Sequence, residues 1–272
     1  MKKIAVFNQK GGVGKTAVAI NVSCCMADYL KRRVLVIDCD PQANASTYLM
    51  ADNINNVSDT ITDYIAGEKE EFSLPYTVSY EKTVRLKDSA GKITNRVQKR
   101  KCSLDVMPIN QDINLIDIEE NTILKDLLDG LDNEYDYCFM DCPPNLSGLT
   151  INALTAADYV LVPTTPTKDA FAGYGLILDV VQTLKNNGTN VNLKILGVVL
   201  NRVNKGRAVD KFFIERTLEQ SGKTVCNTKI RESSLVEQAN VYCKPLNIYK
   251  PRENVSKDFK ELAKELDIRM RR

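Results

Sequence analysis

Lys3-Ile4-Ala5-Val6-Phe7-Asn8-Gln9-Lys10-Gly11-Gly12-Val13-Gly14-Lys15-Thr16 is the stretch from which the fold is read. Ile4, Val6 and Phe7 form the apolar part of a short strand over Lys3 to Asn8. A glycine-rich turn follows, and Thr16 to Leu30 reads as a helix. Glycines let backbone N–H groups turn toward an anion, and the helix N-terminus adds its partial positive charge. Lys15 is placed to reach the β- and γ-phosphates of a nucleotide, and the Thr16 hydroxyl to ligate Mg²⁺. The general pattern GxxxxGK[ST] asks for glycine at position 9. This chain has Gln9, with Lys10 and the pair Gly11-Gly12 instead. A chance glycine turn is the plain alternative; the strand ahead and the helix behind argue against it. The expected nucleotide ligands are Lys10, Gly11, Gly12, Val13, Gly14, Lys15, Thr16 and Ala17.

Moving outward, a second apolar strand, Arg33 to Asp38, ends in Asp38-Cys39-Asp40-Pro41-Gln42. A third, Tyr137 to Asp141, ends in Asp141-Cys142-Pro143-Pro144. Ligands of doubly wound sheets sit at the carboxyl ends of strands. Acids placed there can hold hydrated Mg²⁺ or orient an attacking water. A single such Asp could merely begin a turn; three beside a phosphate loop favour a functional reading. Further strands are expected over Tyr159 to Pro163 and Ile195 to Leu200. All are rich in Val, Ile and Leu and barely alternate, as in strands buried on both faces. Helices are expected over 112–130, 146–156, 170–186, 207–220, 232–240 and 256–268. The alternation gives an α/β fold, a mostly parallel doubly wound sheet flanked by helices, as one domain over 1–272.

Residues 76–101 break the rhythm. Thr83 to Leu86 and Ile93 to Val97 flank Asp88-Ser89-Ala90-Gly91, which is turn chemistry, so a β-hairpin projecting from the domain is expected. From Lys82 to Lys101 it carries Lys82, Arg85, Lys87, Lys92, Arg96, Lys99, Arg100 and Lys101 against one internal acid, Asp88. The chain's net charge is only +2, so the remainder is acidic on balance. Such an arm could contact DNA phosphates without reading sequence; a solvated loop or a protein contact is the equal alternative. Arg269, Arg271 and Arg272, with Lys264, form a second basic group.

The eight cysteines form no CxxC pair and mostly sit in apolar runs, so they read as small core hydrophobes rather than redox or metal ligands. Histidine is absent, which removes His-based triads and His-ligated zinc. With no apolar run near the ~20 residues a bilayer span needs and no signal-peptide pattern, a cytoplasmic location is expected.

KGGVGKT at 10–16, DCDPQAN at 38–44 and YDYCFMDCPPNLSGLTINALTAADYVLVPT at 135–164 together resemble the ParA/Soj-type partition ATPases, in the deviant Walker A group of P-loop NTPases that also holds MinD. The likeness runs from Lys2 to about Leu266. It implies that Lys10 is the signature lysine reaching a partner's bound phosphates across an ATP sandwich dimer, and that Gly12 packs at that interface. It implies that Asp40 positions the hydrolytic water, Asp38 supports Mg²⁺ through water, Asp141 is the Walker B acid and Asn201 contacts adenine. It further implies a homodimer that forms on ATP, binds DNA without sequence preference at the nucleoid, and is reset when a ParB-type centromere-binding protein stimulates hydrolysis. The family block IPR-x-x-x-x-x-E-A departs here to Ile230-Arg231-Glu232-Ser233-Ser234-Leu235-Val236-Glu237-Gln238-Ala239, without its proline. With the loop starting at Gln9, the short type without a preceding helix-turn-helix region is expected. A MinD-like membrane ATPase is the alternative, but the apolar face of 256–272 is small and docking on the chain's own core is preferred. An iron–sulfur reductase-type ATPase is a third, for which no ligand spacing is evident.

Overall fold

The computed structural model describes the chain apart from residues 68–74, 88–92, 205 and 272; the side chains of 52, 55, 83–87, 93–97, 169–172 and 220 are also outside the description. The strands are β1 (Lys2–Val6), β2 (Val34–Asp38), β3 (Tyr76–Lys87), β4 (Ile93–Met107), β5 (Tyr137–Asp141), β6 (Tyr159–Thr164) and β7 (Lys194–Leu200). The helices are α1 (Lys15–Tyr29), α2 (Asn44–Met50), α3 (Ile61–Ala66), α4 (Ile123–Gly130), α5 (Gly148–Ala156), α6 (Lys168–Asn186), α7 (Ala208–Ser221), α8 (Ser234–Val241), α9 (Leu246–Tyr249) and α10 (Asn254–Met270).

The strands form one sheet in the order β3-β4-β2-β5-β1-β6-β7. Every pairing is parallel except that of β3 with β4. Successive side chains of β1 point to opposite faces, as the period of two requires. Ile4 and Val6 pack with α1 and α10, where Val18, Val22, Phe259 and Leu262 are buried. Ala5 and Phe7 pack on the other side with Leu128 of α4, Leu154 of α5 and Ile177 of α6. The expected architecture is therefore found. The buried strand β2 and the cysteines 24, 25, 39, 102, 138, 142 and 226 lie in these two cores.

Register sets the position of the site. β5 lies between β1 and β2, pairing Val6 with Asp141 and Asp38 with Asp141. The strand ends therefore line up. The chain goes from β1 to one side of the sheet for β2 to β4 and later returns past it for β6 and β7. The loop after β1 thus lies at the switch in strand order, where α/β sheets open a crevice.

The elements differ from the sequence reading in three places. The helix at 112–130 is two pieces, a 3₁₀ turn at Gln111–Leu115 and α4. Between them the backbone runs against α5: Asn152 Nδ2 donates to the Glu120 carbonyl at 2.6 Å, and a Cβ on Gly148 would lie 2.9 Å from the Ile118 carbonyl oxygen. That close approach lies where the helix is interrupted. Second, the expected hairpin is found as the antiparallel pair β3 and β4, and its root extends into the sheet. β4 continues to Met107 and pairs in parallel with β2 through Leu35↔Asp105, Val36↔Val106 and Ile37↔Met107. Cys102, Leu104 and Val106 are buried at its root. Its turn, 88–91, lies outside the described residues. Third, α2, α3 and α9 were not expected; they are short, and short segments carry little periodic signal.

α10 docks as expected, burying Phe259, Leu262 and Leu266. Among the described residues no helix is long and apolar enough to cross a membrane.

Candidate functional site

The phosphate loop connects β1 to α1 across the carboxyl end of the sheet. Asn8, the residue that leaves the strand, is fully buried. Its Nδ2 donates to the Pro163 carbonyl at 2.8 Å, and its Oδ1 accepts from the Lys10 N–H at 2.9 Å. The first turn of the loop is thereby tied to β6. Gly12 and Gly14 have φ of +75° and +90°, a conformation that favours glycine. Gly14 is constrained twice: a Cβ there would lie 2.2 Å from Asn201 Nδ2. At Gly11 and Gly12 a Cβ would meet no protein atom within 4 Å, so the outer face of the loop is open to a ligand or a second molecule.

Lys15 is buried, and its Nζ donates to the Lys10 carbonyl at 3.2 Å. Burial lowers its pKa, while the carboxylates of Asp141 and Asp40 work against that shift. Lys10 Nζ, by contrast, reaches Thr167 Oγ1 at 3.2 Å, on the outer side of the loop.

The three acids differ. Asp38 is buried and already engaged: Oδ2 accepts from Ser46 N–H and Ser46 Oγ, both at 2.7 Å, and Oδ1 accepts from Asp40 N–H at 3.1 Å. Burial nevertheless pushes its carboxyl up to about 6, against those hydrogen bonds. Asp141 is buried, and neither carboxylate oxygen has a hydrogen-bond partner. Burial first, and the Asp38 charge second, push its carboxyl well above the usual carboxylate range. The Thr16 hydroxyl lies close enough to favour the charged form without completing a hydrogen bond to either oxygen. Asp40 is only half-buried; its Oδ1 accepts from Gln42 N–H at 3.0 Å. It lines a cavity of about 460 Å³ with Lys15, Thr16, Ala17 and Pro144.

This donor set fits a divalent cation. A buried carboxylate without partners beside a lysine and a threonine hydroxyl is the arrangement that a hard, oxygen-seeking ion would satisfy. Within the set, the oxygens of Asp141 are unpartnered and Thr16 lines the cavity, whereas the oxygens of Asp38 accept from Ser46 and Asp40.

A second cavity, of about 290 Å³, opens from the first along Gly14 and Ala17 toward Asn201, Arg202 and Ser233. Asn201 Nδ2 donates to the Val13 carbonyl at 2.9 Å, so its amide is fastened to the loop.

The basic residues divide. Lys82 ion-pairs with the buried Asp28 and lies 4.6 Å from the centre of the Tyr29 ring. Arg269 donates to the carbonyls of Leu196, Thr224 and Val225 at 2.9–3.2 Å and pairs with Glu265. These two are engaged in the fold's internal bonding. Arg271 pairs with Asp267 at 2.7 Å, Lys264 with Glu261 at 2.8 Å and Lys99 with Glu81 at 3.5 Å. Arg100 and Lys101 are exposed. Lys92, Arg272 and the side chains of Arg85, Lys87 and Arg96 lie outside the described residues. Asn8 and Ser46 were missed by sequence reasoning; their only signal was position, one closing a strand and the other opening a helix after the DCDPQAN stretch.

A family model described as an AAA domain matches residues 1–195. The sporulation initiation inhibitor protein Soj of Bacillus subtilis is 30% identical over 265 residues, covering 97% of this chain and 98% of Soj. The chromosome partitioning protein ParA of Caulobacter vibrioides is 30% identical over 279 residues, covering 100% of this chain and 96% of that protein. The same fold occurs in a Cyanothece McdA variant solved in complex with ATP, with a TM-score of 0.78 at 22% identity over 98% of this chain and 96% of McdA. With its phosphate loop, strand-end acids and near full-length likeness to Soj and ParA, the chain belongs to the ParA/Soj-type partition ATPases.

Proposed function

We propose that this protein is an ATP-driven DNA segregation switch. The observation that carries the reading is Asp141, whose two buried oxygens have no partner beside Lys15 and Thr16. A buried carboxylate of that kind is stabilised by a cation, and the neighbouring loop supplies the donors for that cation's phosphate counter-charge.

The loop amides of residues 11–16 and the Lys15 ammonium bind the β- and γ-phosphates of ATP. Thr16 and Asp141 would hold Mg²⁺, with Asp38 supporting it through water. When bound, the ion neutralises charge on the phosphate oxygens. Asp40, at the mouth of the larger cavity, holds the attacking water in line. Phosphoryl transfer gains mostly from such placement of charge and water. Lys10, on the outer side of the loop, is directed away from its own phosphates and toward those of a second protomer. The open space over Gly11 and Gly12 leaves room for that protomer. ATP thus joins two copies, the dimer holds DNA without sequence preference at the nucleoid, and a ParB-type partner stimulates hydrolysis and release.

The test is gel filtration of Asp40→Ala with Mg-ATP. With binding intact and water unplaced, the variant should elute as a stable dimer, while the parent returns to monomer as ATP is consumed. Parent-like turnover in the variant would take Asp40 out of this role.

A further inference from the structure

Arg202 lies just beyond the end of β7 and stands out in three independent ways. Its φ is +54°, a left-handed conformation that a long side chain rarely adopts. Such strain persists where the surroundings impose it, and it gathers at ligand clamps. Here the surroundings are visible: Asn201 Oδ1 accepts from Arg202 N–H at 3.0 Å while the same amide donates to the Val13 carbonyl, and Val203 N–H donates to the Ile230 carbonyl at 2.9 Å. The backbone of Arg202 is therefore held to the phosphate loop on one side and to the segment before α8 on the other.

The second feature is position. Arg202 lines the 460 Å³ cavity that contains Lys15 and Thr16, the 290 Å³ cavity beyond Asn201, and a third of about 240 Å³ on the outer side of the loop beside Lys10. It is the one residue common to the linings of all three. The third feature is charge. Its side chain is exposed and, among the described residues, makes no ion pair or hydrogen bond. The arginines around it are engaged: Arg231 forks onto Asp258 at 2.6 and 2.8 Å, and Arg207 pairs with Glu232 at 3.2 Å.

We propose that Arg202 is a nucleotide clamp whose guanidinium closes over the α-phosphate and ribose, the part of the ligand that bridges the phosphate cavity and the cavity beyond it. This rests on the nucleotide-binding reading above and adds a residue to it. Gly14 and Ala17, at the N-terminus of α1, line both cavities. A nucleoside polyphosphate whose terminal phosphates lie against Lys15 and whose base enters the further cavity must cross that junction with its α-phosphate. A guanidinium offers five donors in a planar fork suited to a phosphate. The α-phosphate is shared by ATP and ADP, so Arg202 holds both alike and governs how long either stays, in contrast to Lys10, which acts at the terminal phosphate.

The experiment is titration of fluorescent N-methylanthraniloyl ADP and the matching non-hydrolysable ATP analogue, with Mg²⁺, against the parent, Arg202→Ala, Arg202→Gly and Lys15→Gln. A charge-assisted hydrogen bond is worth roughly 10–100-fold in affinity. Kd for both nucleotides should rise by about tenfold or more in Arg202→Ala, and equally in Arg202→Gly. Arg202→Gly relieves the backbone strain, so without nucleotide its Tm should rise by about 2 °C while its affinity falls. A purely structural Arg202 would not move stability and affinity in opposite directions. Unchanged affinities, or a loss confined to the triphosphate analogue, would overturn the clamp. A parent that bound neither nucleotide would sink the functional reading itself, whereas parent binding with an indifferent Arg202→Ala removes the clamp alone.

Discussion

Asp141 is charged only against resistance. Its carboxyl group is displaced well above the ordinary range by burial and by Asp38, and Asp38 itself is raised to about 6 from 3.8. For an acid whose folded pKa is raised, the folded state binds more protons than the unfolded one between the two values. Stability is then present below about pH 4 and is lost as pH rises through the folded pKa. Without nucleotide or Mg²⁺, Asp141→Asn should therefore match the parent's Tm near pH 4 and exceed it by a growing margin toward pH 7.5, by about 2–4 °C for each kcal/mol relieved. Scanning calorimetry across that range decides it; a margin that stays flat with pH would mean that Asp141 carries no such displacement. Residues of this kind were legible in the sequence because the motif sets their spacing: Lys15 and Thr16 open a helix, and Asp141 ends an apolar strand. Asn8 was not legible, because its partner Pro163 lies 155 residues away. The partners of Arg269 were not legible for a related reason. Composition registers a cation but not the three carbonyls that enclose it.

Among the elements, α10 is the clearest case of a face assigned by pattern and then seen. Phe259 is 1% exposed against α1 and the sheet. Phe259→Ala should cost about 3–5 kcal/mol in urea unfolding, the usual penalty for emptying a buried aromatic site. A loss below ~1 kcal/mol would instead describe a helix held loosely on the surface, as a membrane-seeking one must be. Strands were the easiest elements to read, since runs such as Val34 to Ile37 of β2 are buried on both faces and therefore uniformly apolar up to the terminal Asp38. β4 was harder. Its outer half is mostly polar and charged residues, while Cys102, Leu104 and Val106 share one face at the root, so a single strand changes environment along its length. The break between the 3₁₀ turn and α4 depends on the approach of Ile118 to Gly148, a tertiary contact that no local period announces.

For the molecule as a whole, charge is distributed rather than abundant. The chain has a net charge of +2, yet its exposed arm carries Lys99, Arg100 and Lys101 in succession. If these residues meet DNA phosphates in the ATP state, replacing all three with Ala should flatten the dependence of log K on log salt by about 0.9 for each phosphate no longer neutralised. Fluorescence anisotropy with a nonspecific duplex measures it, and an unaltered slope assigns the arm to a protein partner. How such an arm could be felt at the nucleotide is already built into one helix. α1 begins at Lys15 in the phosphate loop and runs 15 residues to Tyr29, about 22 Å at 1.5 Å per residue. At its far end Lys82 of β3 grips Asp28 and lies over Tyr29. Close-packed interiors pass displacement on rather than absorbing it. A tug on the arm therefore arrives at the anion cradle through a single stiff rod, so the two ends of this machine share one mechanical part.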